Sequence, residues 1–251
     1  MEPIIVTNTN LSGAWLETLK YLLDNRGKEI SPFVLSLSDF EESLEIRQLL
    51  DEKLQKNKLD KVLTVAETIF PQSLYQYNHW DRLKLYEEYL NYYKRLRKVD
   101  SRNKNGIYFQ RLIAYEKDSS PVNQLEIIIE SLKATNVKRR SKLQASIFDP
   151  TKGHKGGMFQ GFPCLQHITF YKLETGGLAL NSFYALQYFY QRAYGNWLGL
   201  INLGNFIAQE SGLKLEQMNC FVGVEVLDKI NKTDAKKLYN EASEILLKNA
   251  M

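Results

Sequence analysis

Cys164 is the first candidate for chemistry because it stands directly after Pro163, where an apolar loop end runs into a predicted strand. A thiolate that attacks an electron-poor carbon gives covalent catalysis. The arginine-rich segment upstream supplies cations of the kind that depress a thiol pKa. A cysteine in an apolar run is also a common small core residue, so packing is the alternative interpretation.

A basic segment, "NVKRRSKLQ", precedes the next predicted strand and contains Arg139 and Arg140. The planar forks of arginine match the geometry of a phosphate group and bind it bidentately. An isolated group of basic residues also occurs in solvated turns. The segment therefore predicts either a phosphate-binding site or an exposed loop.

Arg192 and Asn196 lie four residues apart at the start of a predicted helix, so both side chains project from one side of its N-terminal end. The asparagine amide carries a donor and an acceptor together, which suits the edge of a pyrimidine ring. The alternative is that Asn196 and Gly195 only cap the helix.

Other kinds of site are disfavoured by the pattern around the thiol. His167 points to the opposite face of its strand from residues 164 and 166, so it is not placed as a base for Cys164, and no local protease signature accompanies the cysteine. Cys164 and Cys220 are the two cysteines of the chain, and no histidine or cysteine is spaced to complete a zinc site with them. No glycine loop of the P-loop or dinucleotide-binding type is present, and we predict no metal.

Hydrophobic periodicity predicts the elements that must position these residues. We expect helices over 11–25, 38–56, 60–75 (ended by a proline), 80–97, 122–133, 197–211 and 232–249. We expect strands over 142–148, 167–171, 178–188 and 220–227. The glycine- and lysine-rich stretch 149–161 is typical of a loop near a ligand. The sequence has neither a repeat nor a clear linker, which indicates one α/β domain over residues 1–251.

Composition limits the partners. The net charge of +4 over 251 residues is mildly basic and suits an anionic small molecule, but it is too weak to indicate nucleic acid. No apolar run is long enough to span a membrane, and the N-terminus lacks the pattern of a signal peptide. Two cysteines give no disulfide framework, so we expect a cytoplasmic protein that binds neither membrane nor nucleic acid.

With these motifs in order, the chain resembles the thymidylate synthase family, which includes pyrimidine nucleotide hydroxymethylases. The likeness runs from Tyr108 to about Val226, and it rests on motifs in that family's order: "GIYFQRL", "NQLEIIIESLK", a paired arginine, a strand ending in "DP", "PCLQ", and a helix opening on asparagine. The resemblance implies an α/β (α+β) fold of the thymidylate synthase type, a mixed β-sheet with surrounding helices.

The resemblance also implies roles for individual residues. Cys164 corresponds to the nucleophile that adds to C6 of the pyrimidine, and Asn196 to the asparagine that reads the pyrimidine edge. Arg139 and Arg140 correspond to the pair that holds the nucleotide phosphate in a neighbouring subunit, which implies a homodimer. Glu67, in "TVAETIFP", corresponds to the glutamate that positions water and relays protons.

Tyr108 and Gln187 fall among the substrate-binding positions of the family, and 5,10-methylenetetrahydrofolate is the implied carbon donor. The chain departs from the family where it normally carries Tyr-x-Arg-Ser-x-Asp and a His/Tyr sugar clamp. Those positions fall on Ala185, Leu186, Tyr188, Val226 and Asp228. Arg192 can supply the missing charge from one helical turn before Asn196, or can match the family arginine directly if a gap is introduced.

Two functions follow as expectations. The first is a thymidylate synthase-like enzyme that transfers a one-carbon unit to C5 of a pyrimidine nucleotide through a cysteine adduct. The second is a catalytically degenerate, nucleotide-binding homologue of the same fold.

Overall fold

The computed structural model describes residues 2–99, 106–117, 120–134, 139–150 and 163–249. The helices are α1 (Leu11–Asp24), α2 (Leu44–Lys56), α3 (Val62–Ile69), α4 (Gln72–Tyr77), α5 (Arg82–Val99), α6 (Tyr108–Ile113), α7 (Gln124–Lys133), α8 (Tyr194–Glu210) and α9 (Lys232–Asn249). The strands are β1 (Ile4–Asn10), β2 (Glu29–Ile30), β3 (Phe33–Glu41), β4 (Tyr115–Lys117), β5 (Ser120–Val122), β6 (Gln144–Ser146), β7 (Leu165–Lys172), β8 (Leu178–Tyr188) and β9 (Leu215–Val226).

The main sheet is mixed and runs in the order β1-β3-β9-β8-β7-β6, with the short β2 paired to the end of β9. The pairs β1/β3 and β8/β9 are parallel, whereas β3/β9, β7/β8 and β6/β7 are antiparallel. Strands β4 and β5 form a separate antiparallel pair. The prediction of an α/β fold with a mixed sheet and surrounding helices is therefore confirmed.

One face of the sheet carries the core. Its inward residues include Leu35 on β3, Met218 on β9, Leu180 on β8 and Ile168 on β7, each without exposed surface. Helices α1 and α8 contact these central strands. Burying branched and unbranched apolar side chains of this size stabilises the fold by roughly 1.5–3 kcal/mol each.

The opposite face of the sheet, here called the open face, is not covered by any described helix. At its centre Phe183 on β8 stacks on Phe221 of β9, with ring centroids 5.6 Å apart, and the two residues are 38% and 42% exposed. Val34 on β3 lies beside Phe221 in register. Exposed phenylalanines in contact with each other form a patch of the kind used for association.

Helix α8 packs directly against α3, and two glycines allow it. A side-chain carbon on Gly195 would lie 2.7 Å from the carbonyl oxygen of Val62, and one on Gly199 would lie 2.8 Å from that of Ala66. Both distances are shorter than carbon–oxygen contacts allow, so any larger residue would push the two helices apart. The helix that carries Asn196 is thus held against the α3 backbone.

Most of the predicted elements are present, with two corrections. The predicted helix over 38–56 is wrong in its first part, because β3 extends to Glu41 and the helix begins at Leu44, where the Ser43 hydroxyl accepts a hydrogen bond from the N–H of Ile46. Alternating burial from Phe33 favours the strand. The predicted helix over 60–75 is two helices, α3 and α4, separated at Pro71.

Candidate functional site

The Cys164 thiol lies where β7 begins, beside the carboxyl end of β8. The carbonyl oxygen of Cys164 accepts a hydrogen bond from the N–H of Ala185 at 3.2 Å, which fixes the segment against β8. The thiol is half-buried and forms no disulfide. Burial raises the pKa of the Cys164 thiol, and the positive charge of Arg192 offsets part of that rise. The pKa of the thiol therefore stays above its usual value, and Arg192 is the cation that favours its thiolate form.

Tyr108, at the start of α6, packs against the same segment. Burial raises the pKa of the Tyr108 phenol to about 12, while the backbone N–H groups of Leu165 and Cys164 and the charge of Arg192 act in the opposite direction. Across the strand pair, Tyr184 lies opposite Leu165 in register and is fully buried. Two neutral phenols therefore lie near the thiol, as the pKa of Tyr184 is also raised by burial.

Arg192 lies in a π-helical turn, Phe189–Ala193, between β8 and α8. Its guanidinium Nη2 is 3.1 Å from Oδ2 of Asp60, just before α3, and both side chains are about one-third to two-fifths exposed, at 32% and 43%. A π-helical turn is uncommon and often marks a functional segment. Arg192 therefore forms an ion pair with Asp60, and its positive charge also acts on the Cys164 thiol.

Asn196 lies four residues after Arg192, in the first turn of α8, and is 5% exposed. Its side-chain amide forms no hydrogen bond with any other residue that the structure describes. No side-chain hydrogen bond caps α8 either, so the capping alternative has no support. An amide with no hydrogen-bond partner among the described residues is available to a ligand.

Gln187 lies near the carboxyl end of β8 and is 1% exposed. Its Oε1 accepts a hydrogen bond from Nε1 of Trp197 at 3.1 Å, while its Nε2 is buried without a partner among the described residues. The contact to Trp197 ties Gln187 to α8 next to Asn196. The structure thus brings Cys164, Tyr108 and Arg192 together and places Gln187 and Asn196 at the same end of β8.

Sequence reasoning missed Glu225, the in-register neighbour of Gln187 on β9. Glu225 has no exposed surface, and in the described part of the chain neither carboxyl oxygen has a hydrogen-bond partner. Burial holds the pKa of Glu225 well above the usual range of a carboxyl group, and the charge of Asp228 adds to the rise. Gly223 is the feature of the sequence that could have revealed Glu225. A glycine inside a strand pattern marks a bend, and such a bend changes which of the following residues face inward.

Asp228 follows β9 and accepts a hydrogen bond from the N–H of Tyr190 at 3.0 Å. Its second carboxyl oxygen is buried without a partner among the described residues, and burial raises its pKa. Of the other positions that depart from the family, Ala185 and Tyr188 are exposed, while Leu186 and Val226 are half-buried.

Glu67 lines a cavity that includes neither Cys164 nor Arg192 among its described lining residues. Its two carboxylate oxygens accept hydrogen bonds from the N–H of Ser73 at 3.0 Å and from the Ser73 hydroxyl at 2.9 Å. The cavity, here called the tyrosine pocket, has a volume of about 490 Å³. It is lined by Thr64, Glu67, Thr68, Pro71, Ser73, Leu74, Tyr77, Tyr89, Tyr92, Leu96 and Ile107. Arg192, and not Glu67, is the charge that acts on the Cys164 thiol.

Arg139 and Arg140 lie before β6, where a short 3₁₀ turn, Arg140–Lys142, leads into the strand. Both side chains are exposed, and neither forms an ion pair within the described residues. His167 faces β6, with Nε2 3.0 Å from Oε1 of Gln144. The predicted loop 149–161 lies outside the described residues from position 151 onward.

Searches find no protein-family model and no curated protein that matches this chain. Within the described ranges, no group of three or more histidine, cysteine, aspartate or glutamate side chains is placed to hold a metal ion. None of the described helices is long and apolar enough to cross a membrane. The site thus consists of a partly buried thiol under the charge of a guanidinium, and of an amide one helical turn away that has no hydrogen-bond partner among the described residues.

Proposed function

We propose that this protein is a thymidylate synthase-like enzyme that transfers a one-carbon unit to C5 of a pyrimidine nucleotide. The observation that carries the proposal is a half-buried Cys164 thiol within electrostatic range of the Arg192 guanidinium, four residues before Asn196, whose amide has no hydrogen-bond partner among the described residues. The mixed sheet with surrounding helices is compatible with that fold.

In this proposal the Cys164 thiolate forms a bond to C6 of the ring. The electrons of the C5–C6 double bond move onto C5 and the carbonyl oxygen at C4, and C5 then forms a bond to the one-carbon unit as the bond between that unit and its donor breaks. Loss of the C5 proton and expulsion of the thiolate then restore the double bond. Arg192 stabilises the thiolate at both ends of this sequence.

Asn196 orients the ring in the proposed complex. Its amide offers a donor and an acceptor, which match the adjacent acceptor and donor on the edge of a uracil-type ring. Because the amide is 5% exposed, a ligand hydrogen bond there would replace little solvent contact. Tyr108, whose pKa is about 12, stays a neutral hydrogen-bond donor beside the thiol.

The carbon donor implied by the resemblance, 5,10-methylenetetrahydrofolate, is not matched by the tyrosine pocket. Of the described residues that line this cavity, Glu67 alone carries a charge, and it is negative. Folates are anionic, so this lining disfavours them. We therefore derive no step through the folate, and the proposal covers the nucleotide half of the reaction.

A homodimer joined through the open face is part of the proposal. Phe183 and Phe221 would be buried there, and self-association is the simplest use for a stacked, exposed aromatic pair on an uncovered sheet. Arg139 and Arg140, which are exposed and without an ion pair within the described residues, would then hold the phosphate in the partner's site.

The second candidate, a catalytically degenerate nucleotide-binding homologue, is favoured by one specific observation. Arg192 is engaged by Asp60 at 3.1 Å, and Ala185 stands where the family has a phosphate-binding arginine. Such a protein would bind the nucleotide without forming a covalent adduct.

The test is incubation with 5-fluoro-2′-deoxyuridylate, with and without 5,10-methylenetetrahydrofolate, followed by mass spectrometry of the intact and digested protein. An adduct on the Cys164 peptide, lost in Cys164→Ser and kept in the matched control Cys220→Ser, supports the enzyme. Binding without an adduct supports the degenerate homologue, and the absence of both binding and adduct overturns both. Light scattering of the same sample should give about twice the 29.2 kDa of one chain.

A further inference from the structure

The tyrosine pocket is formed by side chains of α3, α4 and α5, away from the sheet. Tyr89 forms an inner wall, is 4% exposed, and is held by an edge-to-face contact with Phe109 at 4.7 Å between ring centroids. Tyr92 and Tyr77 stand nearer the rim, at 53% and 75% exposure. A cavity of about 490 Å³ is within the usual size range of small-molecule sites.

One carboxylate is fixed inside this aromatic lining. The backbone N–H and the hydroxyl of Ser73 each donate to a different oxygen of Glu67, which holds the group in one orientation. Glu67 is close enough to Tyr89 to raise the pKa of that phenol, in addition to the larger effect of burial. No described cation forms an ion pair with Glu67, and no described lining residue is positively charged.

The pocket is chemically distinct from the thiol site. Ile107 lines it, whereas its neighbour Tyr108 faces Cys164, so α6 begins at the boundary between the two. In the thiol site the Cys164 sulfur lies near the positive charge of Arg192. In the tyrosine pocket the Glu67 carboxylate lies among tyrosine rings. The two therefore prefer ligands of opposite charge.

We propose that the tyrosine pocket binds an organic monocation with an apolar body, such as a quaternary or alkylated ammonium. The faces of tyrosine rings attract a cation through their quadrupole, and more strongly where the cation is desolvated. Glu67 supplies the counter-charge, and Leu74, Leu96 and Ile107 contact the apolar part. Because Ser73 already donates to both carboxylate oxygens, the remaining attraction is mainly one of charge, which a quaternary ammonium can use without N–H groups.

The probes that test this are choline and its neutral isostere, 3,3-dimethylbutan-1-ol, titrated into the full chain by calorimetry or ligand-observed NMR. Choline should bind at least about tenfold more tightly than the alcohol. Glu67→Gln should abolish that preference, and Tyr92→Leu should weaken choline binding while Tyr92→Phe retains it. Glu52→Gln removes an exposed carboxylate on α2 and serves as the charge-matched control, with binding unchanged.

Equal binding of choline and the alcohol would overturn the proposal, as would choline binding that survives in Glu67→Gln. Binding of 5-formyltetrahydrofolate that is lost in Tyr92→Leu would also overturn it, since the pocket would then accept an anion. A Cys164 adduct does not depend on any of these outcomes. Choline titration therefore tests the cation-binding proposal, and adduct formation on Cys164 separately tests the proposed transferase function.

Discussion

The two central strands, β8 and β9, each have an apolar first half and a polar second half on the face that packs against the helices. In the first half the inward residues include Leu180 and Met218, both without exposed surface. In the second half, beyond Tyr184 and Val222, they are Gln187 and Glu225, which are in register with each other. The change occurs at Gly223, where a side-chain carbon would lie 2.6 Å from the carbonyl oxygen of Ala185.

The difference separates residues that stabilise the fold from residues that cost stability. The apolar halves bury surface with no polar atom left unpaired. In the polar halves, Nε2 of Gln187, both carboxyl oxygens of Glu225 and the hydroxyl of Tyr184 are buried without partners among the described residues. Each such group costs about 1–3 kcal/mol. These costly groups are concentrated at the end of the strands that holds the candidate site.

The largest effect is expected in the apolar half. Met218→Ala removes a fully buried side chain and leaves a cavity, so the free energy of unfolding should fall by about 2–5 kcal/mol. Urea denaturation followed by circular dichroism measures the change. Gln217→Ala, on the open face of the same strand, should cost much less. Equal losses in the two variants would show that the two faces of β9 do not differ as described.

Glu225→Gln should change how stability depends on pH. Because burial raises the pKa of Glu225 in the folded state, its contribution to stability is complete below the unfolded pKa and is lost as pH rises toward the folded pKa. In that window the wild-type protein loses up to about 1.4 kcal/mol per pH unit through this group. The glutamine variant cannot ionise, so its free energy of unfolding should decline less steeply with rising pH.

Urea denaturation of Glu225→Gln across a pH series measures this difference. Glu29→Gln, an exposed carboxylate on β2 beside the end of β9, is the control and should follow the wild-type curve. Parallel curves for wild type and Glu225→Gln would mean that Glu225 is not buried in the folded state as described.

The smallest effect concerns the charge at the thiol. Arg192→Leu removes the cation that offsets the burial of Cys164, so the thiol pKa should rise and alkylation by iodoacetamide at neutral pH should slow several-fold. Asp60→Asn should do the reverse, because it releases Arg192 from its ion pair. Rates are read by mass spectrometry on the Cys164 peptide across a pH series. Changes of the same sign in both variants would contradict the competition between Cys164 and Asp60 for Arg192.

Periodicity in the sequence predicted the helices whose apolar stripes face the core, and these are α1, α5, α7, α8 and α9. It missed β1 and assigned part of β3 to a helix, because the charged run after Glu41 follows a helical period and hides the alternation before it. The alternation covers Phe33 to Leu37, and the residues after it fit the period of the charged helix as well. The pairing of β3 with β9 in the folded protein decides the outcome.

Residues of the candidate site could be predicted where a local sequence motif contained them. Cys164 and Arg192, identified from their own segments, do lie together. Glu225 and the Arg192–Asp60 pair could not be predicted, because each depends on contacts between segments far apart in the chain. The cavity around Glu67 depends on the packing of three helices, for which a single sequence gives no distances.

The close contact between α8 and α3 at Gly195 and Gly199 sets a fixed spacing in the molecule. Asp60, which engages Arg192, stands just before α3, and Glu67 lies within it. Within α3, five residues at about 1.5 Å each place Glu67 roughly 7.5 Å along the helix axis from Val62, the first residue of the helix after the Asp60 segment. Because α3 cannot slide on the glycine surface of α8 without steric overlap, the α3 backbone fixes the positions of Asp60 and Glu67 relative to Asn196.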